Sequence, residues 1–308
     1  METHEIVAIL VATVRAGTPL LFAALGELVT EKSGVLNLGI EGMMLVGAVT
    51  GFIAMVLTGN PAISIVVAMI AGILMSLVFG VLTLTLLANQ VATGLALTIF
   101  GIGLSAFVGL AYIGTPIKGL APVSIPVLSA IPVIGPLLFA HDVLVYISLL
   151  LLGGVSWFLY KSRAGLVLRA VGESHDAAHA IGYSVVGIRY LAVMFGGAMS
   201  GLAGAYLSLV YTPQWTENMT AGRGWIALAL VVFATWKPGR VLLGAYLFGG
   251  VTIIGLALQA RGYAVSPQLL AMLPYLATVV VLVLISRDAT KIRLNAPAAL
   301  GKSFHPAA

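Results

Sequence analysis

The distribution of hydrophobic residues along the chain predicts helices rather than strands. Apolar runs of about 18 to 25 residues recur, which is the length an α-helix needs to cross about 30 Å of hydrocarbon, whereas barrel strands would alternate with period two. Glycine, proline and polar clusters separate the runs. They delimit nine candidate spans, near residues 6–29, 35–57, 62–87, 91–112, 143–160, 190–212, 224–236, 241–259 and 268–286. The span at 224–236 is short enough to be tilted or re-entrant.

Composition places these runs in a membrane. Of the 308 residues, 60% are hydrophobic and 8% are charged, whereas a soluble domain carries about 25% charged residues. We therefore predict an all-α, polytopic integral membrane bundle of about 8 to 10 transmembrane helices. A single transmembrane domain is expected over residues 1–290, with a tail over 291–308. The absence of cysteine excludes disulfides and thiolate sites.

The placement of lysine and arginine predicts the orientation, because cytoplasmic loops carry the excess of these residues. A cytoplasmic C-terminus and tail, with the N-terminus outside, gives the better fit. It leaves four basic residues outside, Arg15, Lys118, Arg223 and Arg261, and places the following residues inside: Lys32, Lys161, Arg163, Arg169, Arg189, Lys237, Arg240, Arg287, Lys291, Arg293 and Lys302. The long outer loop, 113–142, is rich in proline and apolar residues, so we expect it to pack on the bundle or lie on the membrane surface.

The long inner loop, 161–189, predicts a short helix over 174–181. Asp176 falls in its first turn, where the macrodipole favours an acid, and Gly182 is a natural left-handed stop. Ser184 would cap the following helix. Such a cytoplasmic helix either fits a groove of a soluble partner or simply joins two spans. His175 and His179 are spaced i, i+4, but no third ligand lies nearby, so we predict no metal site.

Polar residues inside the predicted spans are the candidate functional positions. In "TEKSGVLNLGIEGMMLVGA" (30–48), Glu31 and Lys32 are expected to form a solvated ion pair in a turn, whereas Asn37 and Glu41 either line a path or pair with backbone. Gly34, Gly39 and Gly42 permit a broken helix, which is tolerated at membrane depth only where protein or a water-filled cavity surrounds it.

Two further stretches carry polar side chains at span ends. Asn89, Gln90, Thr93 and Thr98 in "ANQVATGLALTIFG" (88–101) suit a hydroxylated solute or act as caps. In "SLVYTPQWTENMTAGRGW" (208–225), Trp215, Glu217, Asn218 and Arg223 are interface anchors or contacts to an outer protein.

Glycine spacing and internal similarity give two structural hypotheses. Gly197, Gly201 and Gly204 have the spacing of close helix packing. Residues 16–39 and 221–244 share a T-x-K-x-G pattern, Thr30-Lys32-Gly34 and Thr235-Lys237-Gly239, from which we hypothesise an internal repeat.

Several of these motifs resemble those of one transporter family. Glu173, Ala177-Ala178 and Gly182 are similar to the EAA-type coupling motif of ABC-importer permeases. Residues 30–48, 88–101 and 216–239 resemble simple-sugar and nucleoside permeases, within the wider group of ribose and branched-chain amino acid permeases, and in particular the shorter of their two paralogous subunits. The resemblance covers residues 16–286, and the extra N-terminal span of ribose-type permeases is missing.

The resemblance implies a transport subunit that is not itself an enzyme. It assigns ATPase coupling to Glu173, Ser174, Asp176, Ala177, Ala178 and Gly182. It makes Asn37, Gly39, Glu41, Gly42, Asn89, Gln90, Thr93 and Thr98 candidates for the translocation path, and Trp215, Glu217, Asn218 and Arg223 candidates for contact with a binding protein. No catalytic residue and no cofactor are expected in this chain.

The implied partners complete an importer in a bacterial cytoplasmic membrane. They are a second, paralogous permease subunit, an ABC ATPase with two nucleotide-binding domains that holds ATP and Mg, and a substrate-binding lipoprotein outside; no nucleic acid is expected. Nucleosides or related sugars are the expected substrates, ahead of branched-chain amino acids or riboflavin-like compounds. The alternatives are a stand-alone secondary transporter or channel that uses Glu41, and a membrane scaffold.

Overall fold

The computed structural model describes residues 3–123, 129, 131–262 and 295–305, together with residues 266, 268–270, 272, 273, 276, 279, 280 and 283. Within these residues eleven α-helices follow one another: α1 (Thr3–Lys32), α2 (Ile40–Thr58), α3 (Pro61–Gly80), α4 (Gln90–Gly109), α5 (Ile134–Phe139), α6 (Val143–Lys161), α7 (Arg163–Glu173), α8 (His175–Ala180), α9 (Val185–Tyr206), α10 (Arg223–Phe233) and α11 (Pro238–Ala260). Helices α3 and α9 each continue into one wider π-helical turn, Val81–Thr85 and Leu207–Tyr211.

The predicted fold class, an all-α polytopic bundle, is confirmed. Seven of the described helices are long and apolar enough to cross a membrane: α1, α2, α3, α4, α6, α9 and α11. Together with the shorter apolar helix α10 they account for eight of the nine predicted spans. The ninth, 268–286, lies largely outside the described residues.

Helices α2 and α9 form the centre of the bundle, and glycine allows them to approach their neighbours closely. A Cβ atom on Gly72 of α3 would lie 2.0 Å from the carbonyl oxygen of Gly197 on α9. Likewise, a Cβ on Gly201 would lie 2.2 Å from the oxygen of Ala68, and one on Gly204 would lie 1.9 Å from the oxygen of Met44. The predicted packing role of the α9 glycines is therefore confirmed.

Basic residues separate to the two ends of the bundle, which we call the Lys32 end and the Arg261 end. At the Lys32 end, Arg189 donates to the backbone oxygens of Ser33 and Lys302. At the Arg261 end, Arg261 pairs with Glu5 at 2.7 Å. The remaining described basic residues divide as predicted, with Lys161, Arg163, Arg169, Lys237 and Arg240 on helices or turns at the Lys32 end and Arg15, Lys118 and Arg223 toward the Arg261 end. Arg287, Lys291 and Arg293 lie outside the described residues.

Two non-helical segments differ in burial: the first lies inside the bundle, whereas most residues of the second are exposed. Residues 33–39 join α1 to α2 and are mostly buried, and residues 212–222 lead from the end of α9 to α10. The break that the glycines of the first segment predict is therefore confirmed. Gly34 takes a φ of 88°, which is a left-handed conformation that favours glycine. Because α10 has only 11 residues, it covers part of the membrane depth and ends toward the Lys32 end.

The T-x-K-x-G pattern does not fold as a structural repeat. Thr30 lies inside α1, whereas Thr235 adopts a left-handed φ of 48° in the turn before α11. Gly34 is left-handed, whereas Gly239 lies in the first turn of α11. The repeat hypothesis is therefore wrong at this motif, because identical residues serve different backbone conformations.

The described part of the long outer loop packs on the bundle. The Leu120 N–H donates to the Leu209 oxygen at 3.2 Å, and Val123 N–H donates to the His141 oxygen at 2.9 Å. Asp142, which is 2% exposed, caps α6 and accepts a hydrogen bond from the Tyr206 hydroxyl. The loop therefore covers part of the Arg261 end.

Candidate functional site

Glu41 connects the start of α2 to the start of α10 inside the bundle. It lies in the first turn of α2 and is 2% exposed. Its Oε1 accepts hydrogen bonds from the Thr220 hydroxyl at 2.5 Å and from the Gly222 N–H at 2.8 Å, and its Oε2 accepts one from the Gly224 N–H at 2.6 Å. A helix N-terminus offers free N–H groups and a partial positive charge, so the carboxylate caps α10.

The close approach at this junction requires glycine. A Cβ atom on Gly224 would lie 2.6 Å from both the Cα and the Oε2 of Glu41. Gly222, the residue before α10, has a φ of 81°. The "TAGRG" sequence at 220–224 therefore supplies the hydroxyl, the turn and the clearance that the carboxylate needs.

Side chains of α1 and α4 hold the segment 33–39. The Glu27 carboxylate accepts from the Asn37 N–H at 3.1 Å, and Asn37 Oδ1 accepts from the Gly39 N–H at 2.9 Å. From α4, Gln90 Oε1 accepts from the Leu36 N–H at 2.8 Å, and the Thr98 hydroxyl donates to the Leu38 oxygen at 3.0 Å. These bonds satisfy backbone groups that would otherwise be unpaired at membrane depth.

The predicted path residues therefore fall into three groups. Asn37, Glu41, Gln90 and Thr98 are at most 4% exposed and are engaged in these bonds in this conformation. Gly39 and Gly42 allow close packing, since a Cβ on Gly42 would lie 2.7 Å from the Leu97 oxygen. Asn89, which caps α4, is exposed and Thr93 is partly exposed. Contact of any of them with substrate stays a prediction.

Sequence reasoning missed Glu27. Its carboxyl is 1% exposed, and its Oε2 has no hydrogen-bond partner among the described residues. The available signal was its position inside the first predicted span, since a carboxyl group within a span is a candidate functional group.

The expected solvated ion pair between Glu31 and Lys32 is wrong. Glu31 is 1% exposed and accepts a hydrogen bond from the Trp236 indole N–H, which lies just beyond α10. Lys32 is 7% exposed and donates to the Asn295 oxygen at 2.7 Å. Adjacent helical residues point in different directions, so each finds its own partner in a distant part of the chain.

The predicted short helix in the inner loop is confirmed as α8. Ser174 caps its first turn through the Ala177 N–H, Gly182 ends it with a φ of 91°, and Ser184 caps α9 through the Gly187 N–H. The sequence did not predict α7, an amphipathic 11-residue helix that precedes it. A Cβ on Gly172 of α7 would lie 2.2 Å from the Lys32 oxygen, so α7 lies directly against the end of α1.

The coupling candidates lie on or beside α8, and most of them are exposed. Ala178 faces inward and is 2% exposed. Glu173, Ser174, Asp176, Ala177 and Gly182 are exposed. Two apolar residues that sequence reasoning missed follow the helix: Ile181 is 72% exposed and Tyr183 is 41% exposed. Their signal was an apolar pair directly after a capped helix in a polar loop.

The candidates for outer contact are divided by burial. Trp215 is 1% exposed and packs with Ala48, Val49 and Phe52, so its indole fills the bundle and does not reach a partner in this conformation. Glu217 and Asn218 are exposed. Arg223 is partly buried, donates to the Met219 and Thr220 oxygens and stacks over the Tyr211 ring.

His175 and His179 flank the aromatic ring of Phe304. Among the described residues no group of three potential ligands could hold a metal ion. The ring of Phe304 lies 5.4 Å from His175 and 5.3 Å from His179, both edge-on. Burial and the charge of Arg189 lower the pKa of His175 below its usual value; Asp176 opposes this shift, and Lys302 and His305 add to it.

Comparison with known proteins identifies one family. The family model described as "Branched-chain amino acid transport system / permease component" matches residues 9–285. The comparison with solved structures found no match.

Three curated relatives align along most of their length. The chain is 40% identical to "Putative glucose ABC transporter permease protein TsgC13" from Haloferax volcanii, and the alignment covers 96% of each chain. It is 33% identical to "Guanosine ABC transporter permease protein NupQ" from Bacillus subtilis, over 92% of this chain and 93% of the relative. It is 31% identical to "Nucleoside ABC transporter permease protein NupC" from Lactococcus lactis subsp. cremoris, over 87% and 88%.

Proposed function

The chain belongs to the family of permease components of branched-chain amino acid transport systems, and we propose that it is the membrane-spanning subunit of an ATP-driven ABC importer for nucleosides or related sugars. The names of the three relatives support the substrate class, since each names a sugar or a nucleoside. Neutral amide and hydroxyl groups such as Asn89 and Thr93 suit hydroxylated substrates. Branched-chain amino acids and riboflavin-like compounds are the less favoured substrate classes.

The observation that carries the proposal is the shape of the inner loop. Helix α8 is capped at both ends, rests on the bundle through Ala178 and leaves Ile181 72% exposed. A compact helix with an exposed apolar tip fits a groove on a soluble partner. In this proposal the partner is an ATPase with two nucleotide-binding domains, which holds ATP and Mg, and α8 transmits its movement to the spans.

Orientation follows from the two ends. The Lys32 end carries most of the described lysines and arginines and also carries α8. By the positive-inside rule it faces the cytoplasm, together with the segment 295–305. The Arg261 end then faces outward in the cytoplasmic membrane. There Glu217 and Asn218 are available to a substrate-binding lipoprotein.

The second permease subunit would cover part of the apolar outer surface. Helix α4 exposes Ile99 at 72% and Phe107 at 81%, and α3 exposes Leu74 at 58%. Lipid or a helix of a paralogous subunit can cover such a surface, and we assign the paralogous subunit to it. The translocation path would then lie near the segment 33–39 and the start of α10, because transporters often place their substrate sites at interrupted helices.

A direct test uses the complete complex. We would purify the subunit with its partners, reconstitute it in vesicles and measure ATP hydrolysis with and without guanosine, other nucleosides and glucose. Ile181→Asp and Glu173→Arg should reduce substrate-stimulated hydrolysis while the complex still assembles. Leu57→Asp is the matched control for the first variant, because Leu57 is equally exposed, at 71%, but lies toward the opposite end.

The outcomes separate this function from the alternative. Wild-type stimulation in both α8 variants would contradict the coupling role. Uptake that needs no ATP and follows the membrane potential would instead favour a stand-alone transporter or channel. In that alternative Glu41 would bind a cation or proton, whereas here its two oxygens accept three hydrogen bonds from Thr220, Gly222 and Gly224.

A further inference from the structure

The segment 295–305 folds back onto the Lys32 end and bonds to four parts of the bundle. The Asn295 oxygen accepts from Lys32 Nζ at 2.7 Å, and the Ala299 N–H donates to the Gly172 oxygen of α7 at 2.9 Å. In addition, the Gly301 N–H donates to the Gly34 oxygen at 3.0 Å. Finally, the Lys302 oxygen accepts from Arg189 of α9 at 3.0 Å. These bonds fix the segment against α1, α7, α9 and the broken segment 33–39.

In addition to these hydrogen bonds, the side chain of Phe304 packs against α8. It is 5% exposed and forms a small apolar cluster with Val171, Ala178 and Val185. The rings of His175 and His179, one turn apart on α8, meet it edge-on at 5.4 and 5.3 Å. Edge-to-face contacts of this kind stabilise a pair beyond the burial of its surface.

This contact matters because α8 is only six residues long. An isolated helix of that length is not stable in water and takes its position from what it packs on. Helix α8 packs against α7 and α9, its neighbours in the chain, and against Phe304, which lies more than a hundred residues further on. Phe304 therefore links α8 to an element that is itself bonded to the centre of the bundle.

We propose that Phe304 is a positioning residue for the coupling helix, and that the segment 295–305 relays displacement of α8 to the broken segment 33–39. The relay runs from α8 through Phe304 to Gly301, whose N–H is bonded to Gly34. Segment 33–39 leads directly into α2, where Glu41 caps α10. In this relay a displacement of α8 reaches α2 and, through Glu41, α10. This inference rests on the proposed function.

The test compares three variants in the reconstituted complex. Phe304→Ala removes the ring, Phe304→Tyr keeps it, and Leu300→Ala removes a similar side chain from the same segment, where Leu300 packs on the main core rather than on the α8 cluster. For each we would measure hydrogen exchange of residues 175–181 and the ratio of substrate-stimulated to basal ATP hydrolysis, at equal amounts of assembled complex.

We expect Phe304→Ala to speed hydrogen exchange in α8 about tenfold and to lower the stimulation ratio at least about threefold, because the helix loses its packing contact with the aromatic ring. Phe304→Tyr should restore both, and Leu300→Ala should leave both near the wild type. Unchanged exchange in Phe304→Ala would contradict the claim that Phe304 stabilises α8 by packing on it. Faster exchange with an unchanged ratio would overturn the positioning role.

The same experiment keeps the inference separate from the function on which it rests. If the wild-type complex shows no substrate-stimulated hydrolysis, the proposed function fails and the relay fails with it, whatever the exchange data show. If the wild type is stimulated and Phe304→Ala behaves like it in both measurements, the proposed function stands and the inference fails.

Discussion

At the scale of single residues, Glu41 has a role that its charge explains. Two oxygens of one carboxylate accept three hydrogen bonds from residues at the start of α10. A glutamine has one oxygen and an amide group that would face N–H donors, so it cannot replace all three bonds.

We therefore expect Glu41→Gln to lower the unfolding free energy by about 2 kcal/mol or more and to impair uptake. Thermal unfolding of the purified protein and transport in vesicles would measure the two effects. Glu217→Gln, at an exposed position, is the control for the stability measurement. Normal stability with lost uptake would contradict the capping role and place Glu41 on the substrate path instead.

At His175 we expect the stability of helix α8 to depend on pH. Its pKa is lower in the folded protein than its usual value, so the unfolded segment binds more protons as the solution is acidified. The stability that neutral His175 contributes to the packing of α8 is therefore fully present above about pH 6.5. It falls as the pH drops toward the lowered pKa of His175 in the folded state.

Protection of α8 against hydrogen exchange, corrected for the intrinsic rate, should accordingly fall between about pH 7.5 and pH 5.5. His175→Gln should remove this dependence, and His179→Gln, which changes the other ring on Phe304, should keep it. Equal protection at both pH values in the wild type would contradict the prediction.

At the scale of helices, close packing depends on glycines that lie directly against the backbone of a neighbouring helix, where a Cβ atom would not fit. In Gly72→Ala the new Cβ would meet the Gly197 oxygen at 2.0 Å, so α3 and α9 must separate. We expect a loss of about 1 to 3 kcal/mol in unfolding free energy, as for other overpacked cores. Gly103→Ala on α4 is the matched control, because no atom lies within 4 Å of its new Cβ. Equal melting temperatures for the two variants would disprove the packing argument.

The same scale shows what a sequence can predict. Helix α8 was predictable because Ser174, Gly182 and Ser184 act on their own neighbours. The break at 33–39 was predictable for the same reason, since the glycines that permit it lie within the segment. The burial of Glu31 and Lys32 was not, because their partners, Trp236 and Asn295, lie 205 and 263 positions away.

The candidate path shows the same limit. Polar residues near the broken segment could be selected from the sequence because charge and amides are rare in apolar spans. Their bonds could not, because Gln90 and Thr98 meet residues 36 and 38 only after α4 packs beside α2. Likewise, Trp215 looks like an interface anchor in the sequence, and its burial depends on the space that Gly109 leaves for its indole.

At the scale of the whole molecule, the two ends define an orientation that can be measured directly. The chain contains no cysteine, so single introduced cysteines can be labelled without background from it. We expect Ala180→Cys to react with an impermeant thiol reagent only from the cytoplasmic side, and Gly59→Cys or Lys118→Cys only from the outside. The opposite pattern would contradict the orientation, and so would labelling of all three from one side.

The position of α10 also bears on how the protein is made. Its eleven residues are too short to span a membrane, and its N-terminus reaches its depth by bonding to Glu41. Synthesis proceeds from the N-terminus, so the carboxylate that receives α10 leaves the ribosome long before residues 220–224 do. We therefore expect α10 to reach its position only after α2 is in place, because its own eleven residues are too few to set its depth in the membrane.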